Sequence, residues 1–398
     1  MESAKPWLLP VGVEEILPEE AYKLERLRRQ VVDQFESWGY QLVIPPLIEF
    51  LDSLLVGTSQ DLDLHTFKIT DQLSGRMMGI RADITPQAAR MDAHSIASDS
   101  ALRLCYADSV LHTRPRGLQT SRVPIRVGAE LFGHAGIECD VELICLMHEV
   151  LTRAEIPSLH LVIGHVGIYR ALVAAAQLDS KTEQSLFEAV QRKAFDEIDS
   201  MLENIAMEPI LKLMLQQLVR LSGGEEVLEK AQQVFEDAPG PVLQALAELK
   251  QIVQRAKARI PDAIFCFDLC ELRGYQYHTG IVFAAYSPAY GRAIAKGGRY
   301  DNVGEVYGRA RPASGFDADL KVLARLSGLQ PERQAAIAAP DDDCDVLAEK
   351  ISSLREQGEI VVTVLGSAAS DSRLDNEPGC DRSLQKENDD WVVRPSPE

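Results

Sequence analysis

Polar side chains that could form one binding site occur in four separate segments of the chain. The segments carry Arg81, Asp83 and Thr85, then Tyr106, then Arg126 and Glu130, and finally Arg273, Tyr277 and His278. A carboxylate with a hydroxyl suits an ammonium group, an arginine suits a carboxylate, and a second carboxylate with a tyrosine suits a side chain that donates protons. If the fold brings the segments together, they complement a polar amino acid. The alternative is a set of separate surface charges, and the pattern alone leaves both open.

A second stretch, residues 297–323, has the glycines and cations of a phosphate site. Its arginines are Arg299, Arg309 and Arg311. The run that should close such a site instead contains Asp317 and Asp319, which would repel a phosphate. A structural ion pair for Arg299 is therefore an open alternative. The sequence contains no P-loop, dinucleotide fingerprint or Ser-His-Asp spacing.

The elements that must position these residues are indicated by hydrophobic periodicity. Pro18 opens an amphipathic helix that ends at Gly39, and residues 64–69 and 76–81 form a predicted hairpin. Further strands are predicted in ALRLCYA, VPIRVGAELFG, SLHLVIG, AIFCFDL and GIVFAAYS. This order indicates an α+β fold, an antiparallel sheet flanked by helices.

The predicted domain organisation has four segments. Residues 1–177 and 261–328 form the strand-rich core, residues 178–260 form a helical insertion, and residues 329–398 form a short acidic α/β tail. The net charge of the whole chain is −19, and residues 331–398 carry 16 acidic against 7 basic side chains. Because nucleic-acid binding depends on a basic face, this charge argues against a nucleic-acid partner.

Composition also predicts the compartment. No stretch approaches the roughly 20 consecutive apolar residues of a membrane span, and MESAKPWLLP does not have the pattern of a signal peptide. Seven cysteines, at irregular spacing, favour a reducing environment over a disulfide framework. Cys266 and Cys270 have no second Cys/His pair at ligand spacing, so we expect no metal site. We therefore expect a cytoplasmic protein without a cofactor.

Taken in order, the segments resemble the histidyl-tRNA synthetases of class II. PVGVEEILP and GYQLVIPPLIE resemble the opening and first motif, and GIRADITPQAAR is similar to the family's LRPEGTA..R. LCYADSVLHTRPRGLQTSRVPIRVGAELFG resembles the second motif, ELRGYQYHTGIVF the RGLDYY segment, and GGRYD with PASGFDADLKVL the third motif. The resemblance covers about 320 of 398 residues. It implies the class II fold, a six-stranded antiparallel sheet flanked by helices, with a helical insertion.

Three departures from the synthetases concern ATP. The arginine that grips the α-phosphate in the family's second motif is His112 here, a second arginine of that loop is Thr120, and the arginine of the third motif is Val322. Each change removes a permanent charge with a forked set of donors. Since loss of one electrostatic group typically costs about 10²–10³ in rate, activation of an amino acid is not expected.

The amino-acid half of the site is better preserved. The resemblance implies a histidine site made of Asp83, Thr85, Tyr106, Arg126, Glu130, Arg273, Tyr277 and His278. By this resemblance Asp83 and Thr85 meet the α-amino group, Arg273 the α-carboxylate, and Tyr106 and Glu130 the imidazole. Arg126 replaces a glutamine of the family and His278 a tyrosine.

A synthetase-like chain with a histidine site but no ATP site resembles the regulatory subunits of ATP phosphoribosyltransferase. That resemblance implies a non-catalytic, allosteric subunit of histidine biosynthesis. It would form a homodimer within a hetero-oligomer with a short catalytic subunit, and it would confer feedback inhibition by histidine. The alternatives are a divergent histidyl-tRNA synthetase, or a free-standing sensor of histidine or RNA.

Overall fold

The computed structural model describes residues 7–56, 60–115, 117, 120–272, 274–275, 277–330, 334–368, 373–374, 376–388 and 390–396. The chain forms two compact units, Met1–Leu329 and Gln330–Glu398. The strands of the first unit are β1 Gln41–Leu42, β2 Ile48–Phe50, β3 Phe67–Thr70, β4 Met77–Ile80, β5 Leu102–Ser109, β6 Ile125–Phe132, β7 His160–His165, β8 Ser222–Gly223, β9 Ile264–Asp268, β10 Ile281–Ser287, β11 Tyr290–Arg299 and β12 Ala313–Asp319.

The helices of the first unit are α1 Pro18–Ser37, α2 Leu51–Leu54, α3 Gln60–His65, α4 Thr85–Arg90, α5 Glu138–Arg153, α6 Val166–Ala176, α7 Ser180–Gln191, α8 Phe195–Asn204, α9 Pro209–Leu218, α10 Glu226–Val234, α11 Gly240–Arg259 and α12 Leu320–Leu326. Helix α4 continues into a π-helical segment, Met91–Ile96, and a 3₁₀ turn covers Glu305–Tyr307. None of the helices in the described ranges is long and apolar enough to cross a membrane.

The central sheet is built on antiparallel strands in the order β5-β6-β12-β11-β10-β7. Within the described chain it is extended by three short strands. Strand β1 runs parallel to β5, β9 runs parallel to β7, and β8 runs antiparallel to β9. This confirms the predicted antiparallel sheet of the class II fold.

Strand β6 shows how the sheet separates its core from its site. Val127, Ala129 and Leu131 are at most 2% exposed and belong to the main hydrophobic core. Because side chains alternate along a strand, Arg126, Gly128 and Glu130 lie on the opposite face. The two predicted site residues of β6, Arg126 and Glu130, therefore share one face of the sheet.

Helix α1 anchors the N-terminal part of the core, as its periodicity predicts. Pro18 occupies the first turn, and Leu24, Leu27, Val31 and Phe35 are buried along one side. The Phe35 ring contacts that of Phe316 on β12 edge-on, with centroids 6.0 Å apart. The helix ends before Gly39, whose φ of +83° disfavours a side chain.

The predicted hairpin is formed by β3 and β4, which pair from Phe67 with Ile80 to Thr70 with Met77. Asp71 closes the turn by accepting the backbone N–H groups of Leu73 and Ser74. Residues 64 and 65, which the hairpin prediction included, instead belong to α3. The hairpin delivers the chain to Arg81, whose guanidinium is buried and pairs with Asp108 at 2.7 Å.

Helices α7 to α11 occupy the region predicted as a helical insertion, and they lie within the first unit. The division of the chain into four segments remains a prediction about its domains. The second unit contains β13 Ala336–Pro340, α13 Asp345–Glu356, β14 Val361–Val364, β15 Cys380–Glu387 and β16 Asp390–Pro395. Its sheet has the order β14-β13-β15-β16, with Trp391 and Leu347 in its core.

Candidate functional site

Glu130 is the centre of the candidate site. One carboxylate oxygen accepts hydrogen bonds from Thr85 Oγ1 at 2.7 Å and from the Tyr106 hydroxyl at 3.1 Å. The other oxygen accepts a hydrogen bond from the Tyr300 hydroxyl. We call Glu130, Thr85, Tyr106 and Tyr300 the Glu130 cluster. Residues from β5, β6, the start of α4 and the end of β11 thus meet at one point.

Burial controls the ionisation of Glu130. The side chain is 1% exposed, and desolvation raises its pKa from 4.5 to about 8, against the opposing effect of its hydroxyl partners. The nearby charge of Asp83 acts in the same direction as burial. Near neutral pH the carboxyl therefore retains its proton, and a cationic or proton-donating ligand would favour its ionised form.

Glycines on the neighbouring strands make room for this cluster. Gly315 on β12 pairs with Glu130, and Gly128 on β6 pairs with Tyr106. A Cβ atom at Gly315 would overlap the Glu130 carboxylate, and one at Gly128 would overlap the Tyr106 hydroxyl. These glycines are required because the cluster approaches the backbone closely.

Aromatic rings form one wall of the site. Tyr277 stacks on Tyr300 with ring centroids 4.9 Å apart, and the His278 ring lies 5.5 Å from Tyr277. Burial lowers the pKa of His278 to about 4, so its imidazole is neutral at physiological pH. The Tyr277 hydroxyl is buried and has no hydrogen-bond partner within the described residues.

Asp83 and Arg126 lie beside the Glu130 cluster. The Asp83 carboxylate accepts the backbone N–H of Ile84 at 2.7 Å and of Thr85 at 3.4 Å, at the start of α4. Arg126 pairs with Asp317 on β12, with nitrogen and oxygen 3.2 Å apart. Burial raises the pKa values of Tyr106 and Tyr277, and the charges of Glu130 and, to a smaller extent, Asp83 act in the same direction.

The structure thus gathers the described residues of the predicted histidine site into one region of the sheet, whereas Arg81 pairs with Asp108. Arg273 lies outside the described residues. Sequence reasoning missed Tyr300 and Asp317 as parts of the site. Tyr300 follows Arg299 in GGRYD, just beyond β11, and no local pattern marks it as a site residue. Asp317 lies two residues after Gly315 on β12, and this spacing could have placed it on the same face of the sheet as Glu130.

The cations of the glycine-rich stretch form internal ion pairs. Arg299 bonds the buried carboxylate of Asp140 at 2.6 Å and the carbonyl of Gly136 at 2.8 Å. Arg309 pairs with Asp99 at 2.6 Å, and Arg311 pairs with Asp92. Arg299 therefore forms a structural ion pair, as the alternative to a phosphate-binding role predicts.

The positions that hold arginines in the synthetases are used differently. The imidazole Nε2 of His112, a buried side chain, lies 3.0 Å from the carbonyl oxygen of Ala82. Thr120 donates to the carbonyl of Gly117 at 2.8 Å, and Val322 is buried within α12. We call His112, Thr120 and Val322 the substituted positions. None of them supplies a forked, permanently charged donor for a phosphate.

Comparison with known families divides the chain in the same way as its structure. Residues 12–323 match the histidyl-tRNA synthetase family, and residues 334–394 match the C-terminal domain of ATP phosphoribosyltransferase subunit HisZ. The second match covers the acidic tail, which lies outside the region that matches the synthetases.

Full-length relatives decide between the two families. The chain is 51% identical over 396 residues to the ATP phosphoribosyltransferase regulatory subunit of Stutzerimonas stutzeri, covering 99% of both chains. It is 51% identical to the protein of the same name from Alkalilimnicola ehrlichii, covering 98% of this chain and 97% of that one. The chain belongs to the ATP phosphoribosyltransferase regulatory subunit family. This family is named for a regulatory subunit and not for a catalytic enzyme, as the substituted positions predict.

Solved structures support the same fold. A protein from Bacillus halodurans C, described as an ATP phosphoribosyltransferase regulatory subunit/histidyl-tRNA synthetase, superposes with a TM-score of 0.81 at 26% identity, over 94% of this chain and 96% of that chain. The histidyl-tRNA synthetase of Nostoc sp. PCC 7120 has a TM-score of 0.76 at 17% identity, over 98% of this chain and 97% of that chain. At 17% identity, the similarity to the Nostoc enzyme supports the fold alone.

Proposed function

We propose that this regulatory subunit senses histidine in the Glu130 cluster and controls a separate, short catalytic subunit of ATP phosphoribosyltransferase. The catalytic subunit condenses ATP with phosphoribosyl pyrophosphate, the first step of histidine biosynthesis, in the cytoplasm. The proposal depends on one observation: the Glu130 cluster is assembled, while the substituted positions carry no phosphate-binding arginine.

The chemistry of the cluster suits an imidazole. Glu130 and Tyr106 offer an acceptor and a hydroxyl to the ring nitrogens, and Thr85 with Asp83 offers oxygen atoms to an ammonium group. Arg273 would meet the α-carboxylate, in line with the resemblance to the synthetases. The neutral His278 and the stacked Tyr277 would flank the ligand without adding positive charge.

Feedback inhibition follows if histidine binds two states of the complex with different affinities. A ligand can shift an equilibrium only by its differential affinity for the two states. The regulatory subunit would form homodimers within the hetero-oligomer. Histidine bound at the Glu130 cluster would then favour the less active state of the complex.

The test is a reconstitution with the catalytic subunit of the same organism. The rate of phosphoribosyl-ATP formation is measured with and without this chain, and then with increasing histidine. We expect activation that histidine suppresses. An unchanged rate at every mixing ratio would contradict the proposal, and histidine-dependent ATP–pyrophosphate exchange by the pure chain would favour a divergent synthetase.

A further inference from the structure

The second unit has one sheet edge that is unusually suited to bind another strand. Strand β14 lies at the edge and pairs in parallel with β13. The surrounding run, Ile360 to Leu365, reads IVVTVL and contains no charge, proline or glycine. Ile360 is 45% exposed, Val362 37% and Leu365 79%. Such an exposed, β-branched edge is a template for strand addition.

The backbone of β14 has hydrogen-bonding groups that point away from its own sheet. Ile337 N–H donates to Ile360 C=O at 2.8 Å, and Ile337 is in register with Val361. In a parallel ladder the N–H and C=O groups of Val361 and Thr363 therefore face outward. Arg355 confirms this geometry, because its Nη2 donates to the Val361 carbonyl at 2.9 Å. The outward groups of Thr363 have no hydrogen-bond partner within the described residues.

The opposite edge of the same sheet is protected. Strand β16 carries Asp390 and Arg394 and ends at Pro395, and Arg394 is paired with Glu387. Charges and proline are common means by which natural edges avoid pairing. Within the described part of the unit, β14 has no such device apart from the single Arg355 contact.

The charge around β14 indicates what would bind there. Val364, near the end of β14, is in register with Pro340, which directly precedes the exposed carboxylates of residues 341–343. Residues 341–359 contain seven acidic and two basic side chains. A second copy of this chain would bring the same acidic residues to the edge, and like charges disfavour such a partner. A strand bearing lysine or arginine is the complement.

We propose that the β14 edge binds an extended segment of the catalytic subunit, in which basic residues accompany β-branched ones. The identity of this partner rests on the proposed function. Main-chain hydrogen bonds from the Val361 N–H and to both outward groups of Thr363 would supply affinity, and Asp341 to Asp343 would select for positive charge.

The test uses paired variants of the full-length chain. Thr363→Pro removes an outward N–H while leaving the ladder to β13, and Thr363→Ala is its control because it keeps that N–H. Val362→Lys adds a charge to the exposed edge, with Val362→Thr as the neutral control. Affinity for the catalytic subunit is measured by sedimentation or calorimetry, with circular dichroism as the folding check. We expect both edge variants to bind at least about tenfold more weakly than their controls.

The outcomes separate this inference from the proposed function. Suppose that the wild-type chain activates the catalytic subunit and that the folded edge variants bind this subunit as tightly as wild type does. This result overturns only the strand-addition inference. Loss of self-association by Val362→Lys, with unchanged binding to the catalytic subunit, assigns the edge to a second copy and also overturns it. If wild type neither binds nor activates the catalytic subunit, both proposals fail. If Thr363→Pro does not fold, Val362→Lys decides.

Discussion

The Glu130 cluster and the substituted positions belong to the same synthetase-like fold, yet they have opposite character. In the Glu130 cluster, a buried carboxylate is surrounded by three hydroxyl donors, and glycines on the adjoining strands keep its space open. At the substituted positions, a buried histidine, a loop threonine and a buried valine stand where the sequence resemblance predicts the arginines of the synthetases. The difference motivates the proposal that this chain recognises an amino acid without activating it.

The arginines of the glycine-rich stretch, residues 297–323, sharpen this comparison. The guanidinium of Arg299 is 6% exposed and its partner Asp140 is completely buried. Arg309 pairs with Asp99, whose side chain is fully in solvent. Sequence alone makes both arginines equal candidates for a phosphate, but their environments give them different structural roles.

The largest expected effect is on stability and comes from Arg299→Ala. This variant leaves the Asp140 carboxylate buried without its cation, which typically costs about 3–5 kcal/mol. Urea unfolding measures the change in the free energy of unfolding. Arg309→Ala, at the solvent-exposed pair, is the matched control and should change stability little. Equal effects for the two variants would contradict the structural role assigned to Arg299.

The second prediction concerns the ligand half of the comparison. Glu130→Ala should weaken histidine binding by about 100-fold, because a charge-assisted hydrogen bond in a buried site contributes about 1.5–3 kcal/mol. Glu130→Gln keeps the shape and one acceptor, and its loss should be smaller. Calorimetry with free histidine measures both variants. Activation of the catalytic subunit should persist, and unchanged histidine inhibition in Glu130→Ala would place the effector site elsewhere.

Gly315→Ala tests whether histidine binding requires the space that Gly315 leaves for the Glu130 carboxylate. The added methyl group would displace the Glu130 carboxylate, so histidine affinity should fall by about tenfold, or roughly 1.4 kcal/mol. Gly291→Ala on β11 is the control, since a Cβ there meets nothing within 4 Å. A wild-type affinity for Gly315→Ala would show that the cluster tolerates a shift of its central carboxylate.

The last prediction concerns the pH dependence that Glu130 imposes on stability. Its pKa is about 8 in the folded chain against an ordinary value of 4.5, so between these values the folded state binds the extra proton. Stability should therefore fall as pH rises through this window, by at most about 1.4 kcal/mol per pH unit for one proton. Unfolding of wild type and Glu130→Gln at pH 5, 6 and 7 isolates this slope. Parallel curves would mean that Glu130 is already ionised at pH 5.

Much of the fold was predictable because its signals are local. The spacing of Leu24, Leu27, Val31 and Phe35 predicts α1, and alternation predicts β5 and β6 with Tyr106 and Glu130 on the site face. The strands of the acidic tail were harder to predict. Strand β13, AIAAP, lacks alternation because all its residues are buried, and β15, CDRSLQKE, reads as a polar loop. Strand β1 ends shortly before the prolines at 45 and 46, which cannot donate a backbone hydrogen bond to a sheet.

Two long-range pairs could not be predicted from the sequence. Arg299 and Asp140 are 159 residues apart in the chain, and nothing in the local sequence of either indicates the other. The same holds for the hydrogen bond between Tyr300 and Glu130, which are separated by 170 residues. Local patterns identified the candidate residues, whereas the sheet register determined which of them meet.

The most direct test of the central claim is calorimetric titration of the pure chain with histidine and, separately, with ATP and magnesium. The account predicts saturable binding of histidine that is lost in Glu130→Ala, and no saturable binding of ATP. Saturable ATP binding by the wild-type chain, or the absence of histidine binding, would contradict the claim that the amino-acid half of the site is kept and the nucleotide half is lost.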